Sequence, residues 1–166
     1  NKNKSIVGDV TGRKAQALLD FKMAELNEVY KIFDEAFTTD AASFTNPKFL
    51  YNYFKTLYDR YKTGDKEVSM EMLFNKYEEV SEKFEIETVA LAKKLDIILK
   101  KEEEGKPLTS REQRRKKVYN INSKAIGTFL SNLDAIIVKE ATCENLIPLY
   151  KTNFDEFKEN SVWLKR

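Results

Sequence analysis

The sequence predicts an all-α protein in which short antiparallel helices are interrupted by one long helical hairpin. Only five Gly and three Pro occur among 166 residues, so few positions favour turns. Residues 70–104 contain neither of these residue types, and an apolar residue recurs there at every seventh position. Alternation of apolar and polar residues, which would indicate strands, is confined to short stretches such as 135–138. Long amphipathic helices that pack against one another explain all three observations.

Two short helices are predicted in the first part of the chain. Residues 13–23 and 26–37 carry apolar side chains at helical spacing. Residues 1–12 are largely polar and contain Gly, which predicts a mobile lead-in.

A third helix is predicted from Asn46-Pro47 to Gly64. Asn is a favoured N-cap, Pro at the first helical position loses no hydrogen bond, and Gly permits a left-handed stop. Its aromatic side chains, Tyr51 and Tyr58 among them, lie on several faces, which predicts neighbouring helices on more than one side. Core packing is the favoured interpretation. The alternative is an exposed aromatic patch for peptides or single-stranded nucleic acid.

The hairpin is predicted from two apolar lines and a helix-start signal between them. Thr109 and Glu112 have the spacing of a capping box, which opens the second arm. Folding the arms about Pro107 pairs Phe84 with Phe129, and each arm would be about 50 Å long at ~1.5 Å per residue. The first line consists of Met70, Tyr77, Phe84, Leu91 and Ile98, and the second of Val118, Ile121, Ala125, Phe129, Leu133 and Ile136.

The pattern divides the chain into three parts. Residues 1–64 form the N-terminal helices, 65–141 the long hairpin, and 142–166 the start of a further helical repeat that stops at the terminus. The chain also lacks an initiator Met, so we expect it to be a fragment or a processed chain.

The residues that usually carry catalysis are scarce. The chain has no His, which removes the commonest general acid–base and the commonest metal ligand. Cys143 has no partner for an internal disulfide and no His to activate it. Glu78, Glu82 and Glu85 share one helix face, and a solvated charged surface is favoured there over a carboxylate metal site. We therefore predict no enzymatic activity, no catalytic residue, no metal and no cofactor.

Charge is balanced overall but locally basic. The net charge is +2, from 29 basic and 27 acidic residues, and no apolar run has the ~20 residues of a membrane span. The tip of the hairpin carries a basic run. The favoured interpretation is that these side chains are simply solvated; the second is that they bind an acidic protein partner, and the third that they bind nucleic acid or anionic lipid. This run consists of Arg111, Arg114, Arg115, Lys116 and Lys117.

Several segments carry a family resemblance. Residues 54–65 follow the spacing Phe-x2-Leu-x3-Tyr-x2-Gly-Asp of a tetratricopeptide repeat, and Met70, Phe74 and Tyr77 follow it at second-helix positions. Together with Lys14-Ala15-Gln16-Ala17, Leu108-Thr109-Ser110-Arg111-Glu112 and Cys143-Glu144-Asn145-Leu146-Ile147-Pro148-Leu149-Tyr150, they make most of the chain resemble exported tetratricopeptide-repeat proteins of Bacteroidota. The resemblance implies a TPR-like α-solenoid with an inserted coiled-coil hairpin and an upstream export signal. It also implies a non-enzymatic scaffold in the periplasm or cell envelope. Composition alone does not fix the compartment and is compatible with a cytoplasmic protein too.

The function favoured at this point is a protein–protein interaction scaffold that binds an envelope component through stacked helices. The alternative is a helical protein that binds nucleic acid or an anionic surface through the basic hairpin tip. The candidate partner-contacting residues are Arg111, Arg114, Arg115, Lys116, Lys117, Tyr51 and Tyr58.

Overall fold

The computed structural model describes residues 4–141, and its regular structure is entirely helical over that range. Helices account for 79% of these residues and no strand occurs among them, which confirms the all-α prediction. The helices are α1 (Val7–Asp20), α2 (Leu26–Thr39), α3 (Pro47–Lys62), α4 (Met70–Glu103) and α5 (Ser110–Glu140). The predicted helical repeat over 142–166, with Cys143, lies outside the described residues.

The start of α1 differs from the sequence prediction. This helix begins at Val7 and ends at Asp20, whereas a mobile lead-in up to Gly12 and a helix over 13–23 were predicted. The prediction of a mobile lead-in was wrong from Val7 onward, because the side chains that accept hydrogen bonds from the first N–H groups of α1 lie in another segment. The Gly8 N–H donates to Asp40 Oδ2 at 3.2 Å, in the connection between α2 and α3.

Glycine is required on the face of α1 that meets this connection. A Cβ placed on Gly8 would lie 2.1 Å from the Asp40 carbonyl oxygen. A Cβ on Gly12 would lie 2.7 Å from the Phe44 ring. The two glycines therefore let α1 approach closely enough to close the core. The sequence does not reveal this role, because both glycines stand in a largely polar segment.

The boundaries of α2 and α3 follow the predicted signals. α2 covers the predicted 26–37 and extends to Thr39. The Lys48 N–H donates to the Asn46 side chain at 3.0 Å, and Pro47 occupies the first turn of α3. Gly64, just past the end of α3, has φ +87°, which is the predicted left-handed stop.

α3 is the central element of the described core. It contacts α1, α2, α4 and α5, so its several aromatic faces have the neighbours that their distribution indicated. Tyr53 is fully buried, with its ring centroid 5.3 Å from that of Phe37 and 6.1 Å from that of Phe44. The core interpretation of the aromatic helix is confirmed.

α4 fills the predicted Gly- and Pro-free stretch, α5 begins directly after Thr109 as predicted, and the two helices contact each other. The capping box is present, since the Glu112 N–H donates to Thr109 Oγ1 at 3.1 Å and the Thr109 N–H to Glu112 Oε1 at 3.0 Å. Near the connection Lys101 binds Glu112, and far from it the Tyr77 hydroxyl donates to Asp134 Oδ1 at 2.5 Å.

The buried face of α5 differs from the predicted line. Leu133 is buried as expected, but Val118 and Ile121 are exposed, so placing these two in the contact with α4 was wrong. The buried positions of α5 include Ile126, Leu133 and Glu140, which recur every seventh residue, and this spacing leaves Val118 and Ile121 on other faces. Phe129, predicted to pair with Phe84, stacks on Tyr51 of α3 with ring centroids 5.2 Å apart.

Candidate protein-interaction surface

The predicted basic run occupies the first turns of α5. We refer to Arg111, Arg114, Arg115, Lys116 and Lys117 as the basic cluster. The capping box places it by fixing where α5 begins, and the nearby Lys101 ammonium binds Glu112 Oε1 at 2.6 Å. The hydrogen bond from Lys101, together with the Thr109 N–H, holds the pKa of Glu112 at about 2. This carboxylate is therefore ionised at neutral pH and engaged by α4.

The cations of the basic cluster fall into two classes. Lys116 Nζ lies 2.7 Å from Glu102 Oε1 and is partly covered. The other four side chains are exposed and form no ion pair within residues 4–141. Three carboxylates of this region, Glu102, Glu104 and Glu112, bind Lys116, Lys106 and Lys101. The structure therefore leaves Arg111, Arg114, Arg115 and Lys117 available to an external anionic group.

Exposed apolar side chains follow directly on the same helix. Val118 is 50% exposed and Ile121 is 66% exposed. With Arg111 and Arg114 they follow the spacing three, four, three, which places all four on one face of an α-helix. We call these four residues the α5 stripe. Sequence reasoning missed it because the same spacing fits a helix–helix contact equally well.

α4 also carries an exposed apolar face. Ile86, Val89 and Ile97 are 54%, 55% and 70% exposed. Val89 lies three positions and Ile97 eleven positions after Ile86, which places all three on one side of the helix. This side differs from the buried line that includes Phe84 and Ile98. Both long helices therefore present apolar side chains to solvent.

Tyr51 and Tyr58 lie inside the fold and not beside the basic cluster. Tyr58 is only 8% exposed, and its hydroxyl donates to Glu140 Oε1 at 2.9 Å. Burial and this hydrogen bond raise the pKa of Tyr58 to about 12. Tyr51 is half-buried and stacks on Phe129. Their rings are engaged in packing α3 against α5, so neither presents the open aromatic face that their role as contact residues required.

A polar cluster that the sequence did not reveal joins α2, α3 and α4. The Tyr53 hydroxyl donates to Asp34 and accepts a hydrogen bond from Lys76 Nζ at 2.7 Å. Burial and the bond to Asp34 raise the pKa of Tyr53. Burial disfavours the charged form of Lys76, but the hydrogen bond to Glu79 and the charges nearby outweigh it, so the pKa of Lys76 is raised. At neutral pH the cluster holds a protonated Tyr and a charged Lys, which suits a link between helices.

Metal clusters and membrane-spanning helices are absent from residues 4–141. Among residues 4–141 no group of three or more Cys, Asp and Glu side chains is arranged to hold a metal ion. None of the five helices described combines the length and the apolarity needed to cross a membrane. Comparison of the chain with family models, curated proteins and solved structures gave no match. The resemblance to exported tetratricopeptide-repeat proteins therefore stays a prediction that depends on the quoted residues.

Proposed function

We propose that this chain is a non-catalytic protein–protein interaction scaffold whose stacked helices bind another protein, an envelope component. In this proposal α1–α3 belong to a TPR-like α-solenoid and α4 with α5 forms its antiparallel coiled-coil hairpin. Helices adjacent in the chain contact one another throughout the described range, which is typical of such arrays. Lys101 with Glu112 and Tyr77 with Asp134 pair the two long helices in opposite directions, which supports the hairpin.

The observation that carries the binding function is the exposed apolar surface of α4 and α5. Single exposed apolar residues are ordinary, but rows of them on one helix face mark surfaces that bind other proteins. Ile86 and Val89, with Ile97 two turns further along, lie on one face of α4, and Val118 with Ile121 lies on one face of α5. These side chains lie outside the core that α3 organises.

The second candidate is a protein that binds nucleic acid or an anionic surface. The free cations of the basic cluster favour it, because phosphate contacts are made by Lys and Arg. Binding of single strands also uses aromatic platforms. Tyr51 and Tyr58 are packed against α5, so the exposed aromatic surface on which this candidate depended is missing from the described part of α3.

Site-specific photo-crosslinking tests the proposal. A photoreactive residue is placed at Ile86, Ile97 or Ile121 of the chain expressed in its own cells, with Ser123 as the control. Ser123 is exposed and lies two positions beyond Ile121, about 200° around the helix. We expect a discrete protein adduct in the envelope fraction from the apolar positions and a weaker one from Ser123. No adduct at any apolar position, or only nuclease-sensitive adducts, would reject the scaffold function.

A further inference from the structure

The α5 stripe combines two chemistries on a short surface. Arg111 and Arg114 lie in the first turns, and Val118 and Ile121 follow on the same face. The four residues span about 15 Å of helix at ~1.5 Å per residue. None of the four is buried, and the two apolar members are at least half exposed. A ligand that covers the stripe must therefore bind cations at one end and apolar side chains at the other.

Arg111 and Arg114 form no ion pair with any residue between 4 and 141. Glu112, the acidic residue next to Arg111, accepts hydrogen bonds from the Thr109 N–H and from Lys101. Glu102 binds Lys116. Glu112 and Glu102 therefore link α4 to α5, and Glu104 pairs with Lys106 within the connection. None of these three carboxylates is paired with an arginine of the stripe, and both arginines are exposed. The positive N-terminal end of the α5 dipole adds to the same field.

The chemistry of the stripe selects one class of ligand. Nucleic acid would meet the arginines with its phosphates, but its unpaired bases stack on aromatic side chains, and the stripe has none. Helices that lie on membranes bury a broad apolar face with Trp, Phe or Leu, whereas the stripe offers two β-branched side chains. An amphipathic helix with acidic residues in one turn and apolar residues in the next turns matches both halves.

We infer that the α5 stripe is the docking site for an acidic amphipathic helix of the partner protein. This inference deepens the proposed function and depends on it. The partner helix lies along α5, with its carboxylates at Arg111 and Arg114 and its apolar side chains over Val118 and Ile121. Electrostatic complementarity at the cationic end sets the register, and apolar burial at the other end supplies affinity.

A synthetic helical peptide is the probe. It carries Leu at alternating spacings of three and four and Glu residues in the turn that would meet Arg111 and Arg114, and a scrambled peptide of the same composition is the control. Binding is measured by fluorescence anisotropy against the full chain. We expect the double variants Arg111→Glu/Arg114→Glu and Val118→Ser/Ile121→Ser each to weaken binding about tenfold or more, equivalent to ~1.4 kcal/mol.

Two controls make the result specific. Lys14→Glu/Lys31→Glu makes the same change in net charge at exposed positions on α1 and α2, and it should leave peptide affinity unchanged. A peptide with Lys in place of its Glu residues should bind Arg111→Glu/Arg114→Glu more tightly than the wild type. Circular dichroism should show that every variant is folded, because the substituted side chains are exposed.

Each contrary result overturns the inference. These results are no peptide binding, equal binding of the scrambled peptide, or affinity insensitive to the Val118 and Ile121 substitutions. Tighter binding of single-stranded DNA or of phosphatidylglycerol vesicles, lost only in the arginine variant, would assign the basic cluster to phosphate instead. Crosslinks at Ile86 or Ile97 without peptide binding would reject the α5 stripe as the site but retain the scaffold function. If no apolar position gives a crosslink, both the docking site and the scaffold function are rejected.

Discussion

The Tyr58 hydroxyl donates a 2.9 Å hydrogen bond to the Glu140 carboxylate and so joins α3 to the last turn of α5. Lys62 Nζ, one turn beyond Tyr58, lies 3.4 Å from the same oxygen. Both groups of the Tyr58–Glu140 pair are buried, so the bond forms in a site with little access to water.

Removing this hydrogen bond should destabilise the fold. Tyr58→Phe keeps the ring in place but takes a donor from a buried carboxylate, which costs about 1.5–3 kcal/mol for a charged acceptor. Urea denaturation measures the change in the free energy of unfolding. Tyr51→Phe is the control, because the Tyr51 hydroxyl has no hydrogen bond to another described residue and its ring keeps the stack on Phe129. Equal losses in the two variants would show that the Tyr58–Glu140 bond contributes nothing.

A matched pair of glycine substitutions tests the close approach of α1 to the core. Gly12→Ala should lower the free energy of unfolding by about 1–3 kcal/mol, because the new Cβ would meet the buried Phe44 ring. Gly127→Ala, in the middle of α5 with open space around it, should raise stability by about 0.5–1 kcal/mol. Thermal unfolding of both variants should therefore shift in opposite directions. A neutral Gly12→Ala would mean that α1 does not pack on Phe44.

Acid should release the start of α1 through Asp40. Hydrogen bonds from Ser43 and Ser5 and from the Gly8 N–H lower the pKa of Asp40 from 3.8 to about 2. A carboxyl group whose pKa is lowered by folding stabilises the fold above its unfolded pKa, and this contribution is lost as the pH falls through the folded pKa. The stability difference between the wild type and Asp40→Asn should therefore be constant near neutral pH and shrink between about pH 4 and pH 2. A difference that stays constant across this window would contradict the assignment.

The packing between α4 and α5 predicts which apolar positions matter for stability. Phe84 is fully buried, so Phe84→Ala should cost about 3–5 kcal/mol. Ile86, two positions along, is 54% exposed, and Ile86→Ala should change stability by less than about 0.5 kcal/mol. Chemical denaturation of the two variants gives the comparison. Similar costs at both positions would place the face that we assign to partner binding inside the core.

Local signals in the chain were sufficient for the elements whose ends depend on neighbouring residues. Asn46 with Pro47, Thr109 with Glu112, and Gly64 act within a few positions of themselves, so the starts of α3 and α5 and the end of α3 were predictable. The same holds for the buried heptad line of α4, which depends on helix geometry alone.

Contacts between distant segments could not be predicted from the sequence, because they depend on how the folded helices are arranged. Asp40 and Ser43 cap a helix that begins more than thirty positions earlier, and the Tyr53, Asp34 and Lys76 cluster draws one residue from each of three helices. Periodicity cannot report such contacts, because it records which residues share a face but not what faces them. The same reason explains the α5 stripe. Whether Val118 meets α4 or solvent, and whether a cation of the basic cluster is paired, depends on how the two long helices are rotated against each other.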